Sequence, residues 1–296
     1  GTAPDRLLEP AAEPAPAPAP ASIAPLPEAP AASTLPADPG LAVAPGVTVG
    51  RLPAIGDAPA PAAEPEAPAE AELPPLLRFA AAFENPTGKP LFALILIDDG
   101  AATLDRAQLA GLPFPVTFVI DPLAANAAEA AATYRAAGHE VVMLASGIPE
   151  GATASDLEQT FQTLASALPE AVAVIDLPTG GFQDDRQRAA QVVPILKAQG
   201  RGLLTYERGL NAADQVARRE DVPAALIFRQ LDAEGEAGPV LRRYLDRAAF
   251  KAAQEGRVAV IGSTRPETVA AILEWTVEGR AASVALAPAT AVLTVN

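Results

Sequence analysis

Between Pro90 and Leu286 short apolar runs alternate with helix-forming stretches about seven times, and this rhythm narrows the fold more than any other feature of the chain. The runs are 90–99 (PLFALILIDD), 116–120 (VTFVI), 140–144 (EVVML), 171–177 (AVAVIDL), 202–206 (GLLTY), 224–228 (AALIF), 257–261 (RVAVI) and a short last one at 284–286. Several are apolar throughout rather than alternating with polar residues, which suits strands buried on both faces. Helix signals lie before the first run, at 76–83, and between the runs, at 103–110, 124–137, 156–168, 184–199, 211–220, 239–255 and 265–278. Gly138 and Gly256 stand where helix C-caps belong. Ser155 with Glu158 reads as a capping box opening the helix at 156. Strand–helix alternation predicts a parallel sheet covered by helices, either a barrel or a doubly wound sheet. The short spacing and the seven or eight strands favour the barrel.

The first quarter of the chain cannot join that pattern. Of 32 prolines, 19 fall within residues 1–75, amid alanine, as in 11–21 (AAEPAPAPAPA). Each proline fixes φ and removes a backbone donor, so neither helix nor sheet propagates. Too few large apolar side chains remain to offset the entropy of ordering. Residues 1–75 are therefore expected to form an extended, disordered, polyproline-like linker, and 76–296 one domain. The more apolar island 41–57 (LAVAPGVTVGRLPAIGD) interrupts the linker. It reads as a less biased stretch, with a short partner-binding motif as the alternative.

A net charge of −15 argues against nucleic acid and against anionic lipid surfaces. The absence of cysteine leaves the redox compartment open. No run of 18 apolar residues is present, so no membrane span is expected. The chain begins at Gly1 rather than Met. This is read as the trace of a removed signal peptide or N-terminal anchor.

In parallel α/β folds functional groups gather beyond the C-terminal ends of the strands. The residues placed there are Asp98 and Asp99, Asp121, Ser146, Asp176, Glu207 with Arg208, Asp232, and Ser263. Two adjacent carboxylates can serve as metal ligands or a general base, although neighbours on a strand face opposite ways. Helix or turn capping is the plainer role for them. Glu207 and Arg208 are candidates to pair with each other or with Asp98. Arg208, Arg229 and Arg265 are the cations considered for neutralising the acidic pair. The single histidine, His139, falls at the opposite end of the sheet and reads as a surface turn residue. One imidazole cannot supply an ordinary zinc site. The 179–181 stretch (TGG) lacks the Lys-Ser/Thr of a phosphate loop and reads as a turn.

Four segments, 89–100 (KPLFALILIDDG), 113–120 (PFPVTFVI), 136–144 (AAGHEVVML) and 260–272 (VIGSTRPETVAAI), resemble the divergent polysaccharide deacetylases of bacterial envelopes. The resemblance spans roughly residues 88–293. It implies a NodB-like, distorted (β/α) barrel, a periplasmic or envelope location, and a link to cell-wall polysaccharide. On this resemblance Asp98 and Asp99 match the family's acidic pair. The histidine-bearing segments do not survive: they fall on 144–147 (LASG), on 176–180 (DLPTG) with Leu177 in place of the imidazole, and on 262–264 (GST). A further Asp-Ser-type segment falls on 205–207 (TYE).

Metal-assisted deacetylation needs an ion that activates water and polarises the acetyl carbonyl. No cofactor is therefore expected. The expectation is a catalytically degenerate protein that binds cell-wall glycan or an envelope protein. The alternative is an active carbohydrate deacetylase using Asp98 and Asp99 with a non-classical divalent site.

Overall fold

The computed structural model describes residues 73–101, 105–277 and 281–293. Nearly all of the 1–75 linker, including the 41–57 island, lies outside them.

Eight parallel strands form one sheet: β1 Leu91–Ile97, β2 Thr117–Ile120, β3 Glu140–Leu144, β4 Ala173–Ile175, β5 Gly202–Tyr206, β6 Ala224–Gln230, β7 Arg257–Ser263 and β8 Ala285–Ala287. The order runs β2-β3-β4-β5-β6-β7-β1-β8, and β1 also pairs with β2, so seven strands close into a barrel. The closure is uneven. One edge of β1 is shared: Leu91–Ala93 pair with β8, and Ile95–Ile97 pair with β2. The eighth strand thus fills a gap that the short β2 leaves at the N-terminal end. The helices among the described residues are α1 Pro75–Arg78, α2 Arg106–Ala110, α3 Ala127–Ala136, α4 Ala154–Ala167, α5 Arg186–Ala198, α6 Ala212–Arg219, α7 Gly238–Glu255, α8 Pro266–Val277 and α9 Ala289–Val292. None of them is long and apolar enough to cross a membrane.

The apolar runs divide by parity into two cores, as alternation along a strand requires. Ala93, Ile95, Val119, Val142, Ile175, Leu204, Ile227 and Ile261 form one, inside the barrel. Phe92, Leu94, Leu96, Phe118, Val141, Val174 and Val260 form the other, against the helices. Trp275 of α8 lies on the outer face of β1, its ring 5.1 Å from that of Phe92.

The barrel's N-terminal end is stoppered by Leu76 and Phe79 from one terminus and Val292 and Leu293 from the other. Glu140, wholly buried at the start of β3, binds both stoppers. Its carboxylate accepts from Ala81 N and Thr290 N, each at 3.0 Å, and from Thr290 Oγ1. Burial raises its pKa against those hydrogen bonds.

Two local expectations are corrected. The capping box of α4 uses Thr153 and Asp156, not Ser155 and Glu158, so the helix begins two residues earlier. His139 is not a surface turn residue. It is buried, with Nε2 2.9 Å from Ala110 O and its ring edge-on to Phe118. Its place at the N-terminal end of β3 is as expected.

Candidate functional site

At the C-terminal end of β1 the two carboxylates part company. Asp98 continues the outward series Phe92, Leu94, Leu96 and enters the seam between the sheet, α2 and α3. Asp99 lies beyond the end of β1 and is exposed, its Oδ1 accepting from Ala101 N at 3.0 Å. Arg106, the first residue of α2, grips Asp98 with two bonds: Nε to Oδ2 at 2.6 Å and Nη2 to Oδ1 at 3.0 Å. The Tyr134 hydroxyl of α3 donates to Oδ2 at 2.9 Å, and Gly100 N donates to Oδ1 at 2.8 Å. With the Asn126 amide oxygen facing it, the guanidinium also donates there at 2.9 and 3.2 Å.

The Asp98 side chain is 2% exposed and that of Arg106 18%. Burial on its own would raise the Asp98 carboxyl. The Arg106, Gly100 and Tyr134 hydrogen bonds outweigh it and hold the group below the usual carboxylate range. Tyr134 is shifted up by burial and by Asp98, so it stays a donor. The bidentate fork is the strongest ion-pair geometry that side chains offer.

The remaining candidates hold loops around the same face. Asp121 accepts from Leu123 N at 3.0 Å and Ser146 Oγ at 2.5 Å, tying the ends of β2 and β3. Asp176 is fully buried and accepts from three backbone amides, Leu177 N at 2.8 Å, Phe182 N at 3.1 Å and Gln183 N at 2.7 Å. It therefore shapes the 177–183 turn. Gly181 passes so close that a Cβ there would meet Asp176 Oδ1 at 2.0 Å. Burial raises Asp176 against these bonds.

Ser263 donates from both N (2.9 Å) and Oγ (2.5 Å) to Asp232 Oδ2, which also takes Thr268 Oγ1 at 2.7 Å. Glu207 and Arg208 do not pair with each other or with Asp98. Glu207 meets Lys251 at 3.2 Å, and Arg208 meets Asp184 at 3.0 Å and Pro178 O. Arg229 lies over the Tyr244 ring, 4.1 Å from its centroid, and Arg265 leans to Glu267 at 3.9 Å. None of the three arginines considered from sequence neutralises Asp98. Arg106 does, and sequence reasoning missed it. The available signal was an arginine opening the helix that follows the acidic strand end.

The donors present do not suit the divalent ion that the deacetylase resemblance implies. Both Asp98 oxygens are taken by a guanidinium, and the exposed Asp99 accepts from Ala101 N. Among the described residues no three His, Cys, Asp or Glu side chains come together in a way that could hold a metal ion.

A closed parallel barrel with loop-organising carboxylates at the strand C-termini defines an α/β-barrel protein. The chain belongs to the divergent polysaccharide deacetylase family, whose sequence profile matches residues 95–293. No curated protein matches the sequence. Among solved structures, it is similar to an uncharacterised protein from Agrobacterium tumefaciens C58, at 19% identity and a TM-score of 0.64, covering 75% of this chain and 96% of that one. It is also similar to a protein from Enterococcus faecalis V583 provisionally described as cleaving cellobiose phosphate, at 11% identity and a TM-score of 0.51, covering 70% of this chain and all of that one. Both likenesses concern the fold.

Proposed function

We propose that this chain is a deacetylase-like protein that no longer performs metal-dependent hydrolysis and serves the bacterial envelope by binding cell-wall glycan. One observation carries the reading: Asp98, the carboxylate that heads the family's acidic pair, is held by Arg106 in the helix–sheet seam. A carboxylate committed in this way neither ligates an ion nor takes a proton from water at neutral pH. The loss of imidazole at each histidine-bearing segment supports the same conclusion. Family membership favours polysaccharide as the class of ligand. An envelope setting accords with it, and the long Pro/Ala-rich segment suits a domain tethered at a distance from where it works.

The test has two arms. Full-length protein is incubated with purified peptidoglycan sacculi and sedimented. It is also incubated with acetylated glycans and added divalent ions, and acetate release is measured. Co-sedimentation without acetate release is the expected result. Release that disappears in Asp98→Asn or Asp99→Asn would replace this reading with that of an active hydrolase. No sedimentation, together with capture of an envelope protein in cross-linked cells, would replace glycan by a protein partner.

A further inference from the structure

β8 fills the gap that the short β2 leaves beside the start of β1. A second gap, between β6 and β7, holds no strand among the described residues. β6 begins at Ala224 and β7 at Arg257, yet the two pair only from Ile227 and Ala259 onward. Residues 224–226 pair with β5 alone, and 257–258 with β1 alone. The start of each strand therefore lacks a ladder partner on the side that faces the seam. Such an unpaired edge is a template for a strand from another chain.

A groove of about 230 Å³ lies at this opening, lined by residues 224–226 of β6 and 257–259 of β7, with α6 and α7 on its two sides. It is smaller than the roughly 300–1,000 Å³ of small-molecule sites, which suits a short stretch of chain. Ala224, Ala225 and Ala259 keep the seam free of bulky side chains.

The charges around the groove say what that stretch should carry. Lys251 is met by Glu207 at 3.2 Å and by Glu255 at 2.8 Å, and Arg218 by Asp214 at 2.9 Å. Arg257 also lines the groove and is exposed, and it has no ion-pair partner among the described residues. A cation left over beside an open strand edge is complementary to a carboxylate.

We infer that this seam binds an extended segment of a partner protein, which adds a strand there as β8 does beside β1 and sets an acidic side chain against Arg257. Main-chain pairing gives a contact of this kind its affinity, and the carboxylate gives it selectivity. The inference stands apart from the glycan reading, because peptide binding and sacculus binding are measured separately.

The test is a titration of ¹⁵N-labelled full-length protein with hexapeptides capped at both ends, followed by amide chemical shifts. The probe is AVAEAV. AVAKAV reverses its charge, and AVPEPV removes main-chain donors that a new strand needs. Saturable shifts at residues 224–228 and 257–259 are expected with the probe, and at least tenfold weaker binding with either of the other peptides. Arg257→Ala should weaken binding of AVAEAV at least tenfold. Arg257→Glu should reverse the preference, so that AVAKAV binds more tightly than AVAEAV, with the remaining spectrum unchanged in both variants. No saturation by AVAEAV, equal binding of AVPEPV, undiminished affinity in Arg257→Ala, or an unreversed preference in Arg257→Glu would overturn the proposal.

Discussion

Replacing Arg106 by alanine isolates the interaction on which the account depends. The variant strands Asp98, whose side chain is 2% exposed, with only Gly100 N and the Tyr134 hydroxyl as donors. Two charge-assisted bonds are lost, each ordinarily contributing about 1.5–3 kcal/mol. Removing one partner of a buried pair costs about 3–5 kcal/mol. Arg106 is itself 18% exposed, so water can follow its removal and lower the cost. The expected loss is about 3 kcal/mol, on the order of a hundredfold in the folding equilibrium.

Urea unfolding read from the fluorescence of Trp275, the only tryptophan and fully buried, measures it directly. The pH dependence gives a second signature. In the native protein the Asp98 pKa is depressed, so its contribution is present above the unfolded carboxylate value and is lost as pH falls through the folded one. In Arg106→Ala burial is opposed by fewer donors and the pKa moves up. The gap between the two proteins should therefore narrow as pH is lowered from 7 towards about 4. A loss under about 0.5 kcal/mol, or a gap that widens on acidification, would refute the idea that this pair holds the seam.

Three further outcomes follow from other parts of the structure. Gly181→Ala should destabilise the domain by about 2 kcal/mol, because the new methyl overlaps a carboxylate that three buried amides hold in place; thermal unfolding reads it. Glu140→Ala should release both stoppers of the barrel, seen as faster amide exchange at 76–79 and 289–293 while β3 and β4 stay protected. Glu140→Gln keeps one acceptor oxygen, for Ala81 N and Thr290 Oγ1, and gives up the acceptor for Thr290 N, so it should lose some stability but less than Glu140→Ala. Because burial raises the Glu140 pKa, the cost of its charge is present at high pH and relieved as pH falls through the folded value, so the glutamine variant's relative advantage should be greatest at high pH, as measured by urea unfolding between pH 5 and 8.

The barrel was legible in the sequence because buried parallel strands leave continuous apolar runs, and 140–144 and 202–206 coincide with β3 and β5 to the residue. Closure was not readable from periodicity, since it depends on β1 sharing one edge between β2 and β8. The α4 start was misplaced because two overlapping frames, Thr153 with Asp156 and Ser155 with Glu158, carry the same capping signal. His139 follows a helix-ending glycine, a context that suggests exposure, but a carbonyl from Ala110, 29 residues away in sequence, receives it. Asp98 and Asp99 stand out in the sequence as an adjacent pair, and the structure buries the first and exposes the second. Which of 20 arginines and lysines other than Arg106 or Arg106 itself would meet Asp98 is a property of helix placement, and local sequence does not encode it.

The most direct test of the central claim is a Mn²⁺ titration of the full-length protein at neutral pH, followed by electron paramagnetic resonance of the free ion. The account predicts no stoichiometric site, with the same weak, non-saturating uptake in native protein and in Asp98→Asn. One tightly bound ion per chain, lost in Asp98→Asn, would show that Arg106 does not hold this carboxylate away from metal and would contradict it.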